Sequence, residues 1–147
     1  MEYDIAQSLM IGSVYYMRFD GDCNEQRGWR PGVVFQNNKA NKHSPNLIAL
    51  PCTTSLKKLS QPTHVLLRRE DSGMSRDSLV LCENPQRMSK SKVGSFITQL
   101  PEKYMKQIAI ASLLASSAIS FVSLDELADA WRKATVLNSR ESGGYYV

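Results

Sequence analysis

The chain has 147 residues, enough for one domain around one core, with little left for a second. Hydrophobic and charged fractions of 42% and 22% are ordinary for a soluble globular protein. The net charge of +4 biases it mildly towards acidic partners, a bias that a solvated basic surface explains as readily.

Glu2 and Asp4 stand where a secretion signal would need positive charge, so no such signal is expected. From Gly12 to about Leu100 the apolar runs are short and separated by polar, Gly- or Pro-containing segments. They predict strands over Ser13–Phe19, Gly32–Asn37, Leu47–Thr53, Thr63–Arg68, Ser78–Glu83 and Val93–Leu100. The connections are mostly too short for crossover helices, which makes the sheet antiparallel. Short strands without long intervening helices favour a small closed barrel, because closure removes exposed edges.

After Leu100 the pattern becomes helical. Pro101 and Glu102 suit a helix start, and Tyr104, Met105, Ile108, Ala109, Ser112 and Leu113 recur at helical spacing, so Pro101–Ser117 is a helix. The uncharged stretch Ile108–Val122 is too short to span a bilayer and reads as a buried helix. Ser123-Leu124-Asp125-Glu126 is a capping box opening a second helix, with Leu124, Leu127, Ala128 and Trp131 as its buried stripe. The tail from Asn138, with Ser142-Gly143-Gly144, reads as flexible. The resulting division is a main unit over 1–120 and an addition over 121–147.

The conventional catalytic groups are sparse. Cys23, Cys52 and Cys82 are widely spaced, without a CxxC or any His/Cys pair at metal-ligand spacing, so neither a zinc site nor a cofactor is expected. Cys52 and Cys82 lie in apolar runs and read as small core residues of a protein in a reducing cytosol. His43 sits in a polar loop, and His64 opens a strand, where a structural role outweighs a catalytic one. Asp20, Asp22 and Glu25 form a loose acidic cluster of the kind usually explained by turn chemistry rather than by a bound cation.

What remains is Arg30, fixed by Pro31 at the mouth of one strand, and Thr53, at the far end of the next. Neighbouring antiparallel strands can bring these ends together beside one cavity, presenting a permanent cation and a hydroxyl donor to an anion. A phosphodiester suits such a pair. When a 2′-hydroxyl attacks its own 3′-phosphate, negative charge concentrates on the non-bridging oxygens, where preorganised donors act most strongly. Arginine stays protonated in proteins and is a poor base, so Arg30 is read as an electrostatic clamp, with Glu25 or a water as proton acceptor. Against this stands the plain reading of Arg30 as a surface residue and Thr53 as an ordinary strand end. Trp29 is either a packing aromatic or a platform for bases. Lys57, Lys58, Arg68, Arg69, Arg87, Lys90 and Lys92 together can track a phosphate backbone.

From Met10 to about Ser117 several segments, in order, resemble the MazF/PemK family of toxin endoribonucleases. These are Gly12-Ser13-Val14-Tyr15-Tyr16, Glu25-Gln26-Arg27-Gly28-Trp29-Arg30-Pro31, Val33-Val34-Phe35-Gln36-Asn37, Ser44-Pro45 followed by Ile48 to Thr53, Pro62-Thr63-His64-Val65 and Arg76-Asp77-Ser78-Leu79-Val80. The resemblance implies an SH3-like antiparallel barrel with a C-terminal helix, usually as a homodimer. It implies metal-independent cleavage of single-stranded messenger RNA, with Arg30, Thr53 and Glu25 catalytic and Gln26, Trp29, Asn84, Gln86 and Arg87 contacting RNA. It also implies a cognate antitoxin whose acidic, disordered segment covers the RNA groove.

Two departures stand out. Asn84-Pro85-Gln86-Arg87 differs from the family's pattern after Glu83, and Gly32 replaces a branched aliphatic residue and is expected to loosen the second strand. The alternative functions are a non-enzymatic gyrase poison on a CcdB-like version of the same barrel, or a family member that binds RNA without cutting it.

Overall fold

The computed structural model of the protein describes residues 9–20 and 27–140. Among these residues, seven strands form one antiparallel sheet in the order β4-β5-β3-β2-β1-β7, with β6 joined to β3 beside β5. The strands are β1 (Ser13–Asp20), β2 (Arg27–Val34), β3 (Asn46–Thr53), β4 (His64–Leu67), β5 (Ser78–Leu81), β6 (Gln86–Ser89) and β7 (Val93–Gln99). Helices α1 (Asn38–His43), α2 (Arg69–Ser72), α3 (Glu102–Ser116) and α4 (Leu124–Arg140) follow, with short 3-10 turns at Lys90–Lys92 and Ala118–Ser120.

No ladder joins β4 to β7 among the described residues, so the sheet keeps two edges rather than closing. The edges are bridged by other means. Thr98 Oγ1 on β7 donates to Ser72 O at 3.2 Å, just beyond β4. Helix α3 packs against β4, and the Tyr104 hydroxyl donates to Asp71 while accepting from Arg68 N. Side-chain and helix contacts thus do part of what backbone pairing does in a closed barrel.

The sheet carries a core on each face, and strand alternation sorts residues between them. Val14, Val33, Leu50, Cys52 and Val80 join Tyr104, Ile108 and Ala111 of α3 in one cluster. Their immediate neighbours Tyr15, Val34 and Ala49 turn the other way to pack with Met17, Phe19, Leu47 and Met88. Each buried Val or Leu side chain contributes about 1.5–3 kcal/mol of transfer free energy.

Several expectations change. Gly32 does not loosen β2. A Cβ there would lie 2.7 Å from Met17 Sδ and 2.8 Å from Phe19 Cζ, so those two side chains occupy the volume a branched residue would need. Gly32→Val is accordingly expected to lower unfolding free energy by about 1–3 kcal/mol through overpacking, measured by urea denaturation. An unchanged midpoint would show that Met17 and Phe19 give way freely.

The helical end also differs. Ile108–Val122 is not one buried helix: α3 stops at Ser116, and Ile110, Leu113 and Leu114 are exposed while Ile108 and Ala111 are buried. Ser117 follows in the left-handed region (φ 56°) and ends the helix. The capping box forms, with Ser123 Oγ accepting from Glu126 N at 3.2 Å and Glu126 Oε2 accepting from Ser123 N at 3.0 Å. The expected buried stripe of α4 is exposed, however, with Leu124 at 79% and Trp131 at 60% and Leu127 and Ala128 likewise accessible. Amphipathic spacing specifies a face that favours burial without specifying what buries it. Asn138 falls inside α4, and Ser142, Gly143 and Gly144 lie outside the described residues.

Candidate active site

The ladder between β2 and β3 pairs Val34 with Ala49, Val33 with Leu50 and Gly32 with Pro51. Continuing that register by two residues sets Arg30 opposite Thr53. Because side chains alternate along a strand, Arg30, Gly32 and Val34 share a face with Ala49, Pro51 and Thr53. Arg30 and Thr53 consequently line one open cavity of about 280 Å³, with Trp29, Pro31, Cys52, Thr54 and Ser78.

Local sequence fixes both segments, and Arg30 lies within β2 rather than at the mouth of a strand beginning at Gly32. Gly28 adopts φ 83°, a left-handed conformation that suits glycine, immediately before Trp29 and Arg30. Pro31 then holds its φ while lying opposite Tyr16 of β1. The Trp29 ring rests against Gly94 of β7, where an added Cβ would come within 2.9 Å of it, and the side chain remains 60% exposed. At the other end Thr53 Oγ1 accepts the Ser55 N–H at 3.1 Å. That bond occupies a lone pair of the hydroxyl and leaves its proton available for donation into the cavity.

The electrostatics favour anion binding over nucleophilic attack by the protein. Burial pushes the Cys52 thiol up to about 12, with Cys82 reinforcing the rise and Arg30 opposing it. Cys82 is likewise pushed up to about 12, chiefly by burial. Neither thiol supplies a thiolate at neutral pH, and only the thiolate is an effective nucleophile. A guanidinium and a hydroxyl donor remain as the reactive character of the cavity.

The other sequence-based candidates are dispersed. Glu25 and Gln26 lie outside the described residues, as do Cys23 and Asp22. Asp20, from the same acidic cluster, forms ion pairs with Arg18 and Lys92. Asn84, Gln86 and Arg87 do not line the cavity. Gln86 and Arg87 are on β6, opposite Ala49 and Ile48, which puts Gln86 roughly 13 Å along β3 from Thr53 at about 3.3 Å per residue. Ser78 and Thr54 were not anticipated. Ser78 arrives because β5 pairs with the last residues of β3, Thr53 opposite Leu79, a contact between distant segments with no local sequence signal. No helix among the described residues is long and apolar enough to cross a membrane.

Comparison with known proteins identifies the family to which this sheet and cavity belong. The sequence profile of the PemK-like, MazF-like toxins of type II toxin-antitoxin systems matches residues 11–114, and the chain belongs to that family. Endoribonuclease EndoA of Bacillus subtilis is 33% identical over 98 residues, covering 67% of this chain and 84% of that protein. Endoribonuclease MazF of Staphylococcus saprophyticus is 34% identical over 85 residues, covering 58% and 71%. Among solved structures, MazF of Deinococcus radiodurans superposes with a TM-score of 0.64 at 18% identity, covering 74% of this chain and 96% of that one. A mycobacterial endoribonuclease in complex with its cognate antitoxin gives 0.60 at 23% identity, covering 74% and 94%.

Proposed function

We propose that this protein is the toxin of a type II toxin-antitoxin pair, a metal-independent, sequence-selective endoribonuclease of single-stranded messenger RNA. The observation that carries this reading is the placement of Arg30 and Thr53 on one open cavity. In the proposed reaction the 2′-hydroxyl attacks the adjacent phosphorus and the P–O5′ bond breaks. The products are a 2′,3′-cyclic phosphate and a 5′-hydroxyl end. Arg30 and the Thr53 hydroxyl stabilise the non-bridging oxygens as their charge grows. Glu25 or a water takes the 2′ proton, and a proton goes to the departing 5′ oxygen. Trp29, exposed at the rim, offers a face for a base, and Gln26, Asn84, Gln86 and Arg87 extend the grip along the strand.

In this reading residues 1–120 form an SH3-like barrel, left open at one seam, and 121–147 are an addition to it. The toxin works in the cytoplasm as a homodimer, and a cognate antitoxin covers the RNA groove with an acidic segment. The antitoxin-bound mycobacterial neighbour supports that partnership.

The test is incubation of purified protein with a long RNA in excess EDTA, beside DNA of the same sequence. RNA should be cut at discrete sites and DNA should survive, because DNA lacks the attacking hydroxyl. Intact RNA, together with inhibition of gyrase supercoiling, would overturn this in favour of the CcdB-like alternative.

A further inference from the structure

A second cleft adjoins the first, and Thr53 belongs to both. Its volume is about 270 Å³, just under the roughly 300 Å³ at which small-molecule sites begin, a size for one nucleoside rather than a longer segment. Leu79 and Leu81, two residues apart on β5, line it. Both are buried, yet neither belongs to either core cluster, while Val80 and Cys82 between and beyond them do. The cleft thus has an apolar wall of its own.

Its polar side is held in place. Glu83 Oε1 lies 2.8 Å from His64 Nε2, and His64 Nδ1 lies 2.8 Å from Lys58 O. The His64 side chain is only 3% exposed, whereas Glu83 is 40% exposed. The ring ties the carboxylate to the segment carrying Lys57 and Lys58, both of which also line the cleft. Among the described residues Glu83 is hydrogen-bonded through Oε1 alone, leaving Oε2 to accept from a ligand.

We infer that this cleft is a nucleotide subsite next to the scissile phosphate, selecting a base with an amino group at the pyrimidine 4 or purine 6 position, cytosine or adenine rather than uracil or guanine. The inference rests on the endoribonuclease reading and specifies its substrate preference. The base ring lies against Leu79 and Leu81. Its amino group, N4 of cytosine or N6 of adenine, donates to Glu83, as carboxylates accept from cytosine N4 in nucleic-acid readout. Uracil presents a carbonyl at that position and sets lone pair against lone pair. Lys57 and Lys58 meet the flanking phosphate without distinguishing bases. Thr53, shared by the two clefts, registers the selected nucleotide against the bond to be cut.

The test uses the full chain and a pool of RNAs with randomised sequence, with product ends sequenced to give base frequencies at each position beside the cut. The parent should favour cytosine or adenine over uracil at one flanking position by tenfold to hundredfold, on the order of one good base contact. Glu83→Gln is near-isosteric and can donate to a uracil carbonyl, so it should cut uracil-containing sites within about threefold of the others. Lys57→Ala/Lys58→Ala should raise KM and weaken the salt dependence while leaving base frequencies unchanged. Cutting by Glu83→Gln with the parent's base profile would overturn the subsite and leave the endoribonuclease reading intact. No cutting by the parent would overturn both.

Discussion

Arg30→Ala is expected to lower kcat for RNA cleavage by about 10²–10³-fold, the range for removing one preorganised donor from a developing oxyanion. The loss should appear mainly in kcat, because the phosphate carries its greatest charge in the transition state rather than in the bound substrate. Arg30 is half-buried at the cavity and belongs to neither core cluster, so its thermal midpoint should stay near the parent's. Arg30→Lys should recover only part of the rate. Lysine keeps the charge but lacks the planar fork that holds two phosphate oxygens at once. Single-turnover kinetics on a defined RNA would measure both variants. A lysine variant as fast as the parent would reduce Arg30 to a general source of positive charge.

A single 2′-deoxy substitution at the nucleotide before the scissile phosphate is expected to abolish cleavage there. The attacking oxygen is removed, and neither buried thiol of this chain, each pushed up to about 12, offers a replacement nucleophile. Binding should persist, because Arg30 and the surrounding lysines address phosphates that the substitution leaves in place. The substituted RNA should therefore inhibit cleavage of normal RNA competitively, with an inhibition constant near the parent KM. Cleavage of the substituted bond would instead require an activated water or a protein nucleophile.

Much of this arrangement was legible in the sequence because it depends on neighbouring strands. Short apolar runs mark β1 and β3, and consecutive antiparallel pairing of β2 with β3 brings Arg30 to Thr53. β6 was not legible: Gln86-Arg87-Met88-Ser89 has one buried side chain and owes its form to pairing with β3. α1 was not legible either, since Asn38–His43 is polar apart from Ala40 and buries only Asn41. Its start is marked by Asn37, whose side chain accepts from Ala40 N at 2.9 Å, a cap that a hydrophobic pattern does not reveal.

The site divides along the same line. Arg30, Thr53 and Trp29 come from adjacent segments and meet as their spacing suggests. Ser78 and the Glu83–His64 pair depend on β5 lying between β3 and β4, a placement set by distant pairings. Gly32 shows the converse error. Considered alone it weakens a strand, but in the fold it makes room for Met17 and Phe19. The stripe on α4 has helical spacing and stays exposed, because spacing carries no information about a covering surface.

The most direct test of the two-donor site is a double-mutant cycle on the cleavage rate, using Arg30→Ala, Thr53→Ala and the combination. Two groups acting on the same phosphate depend on each other, so the double variant should be little slower than the slower single variant. A double variant whose loss equals the product of the single losses would mean that Arg30 and Thr53 act independently. That result would contradict a shared phosphate between them.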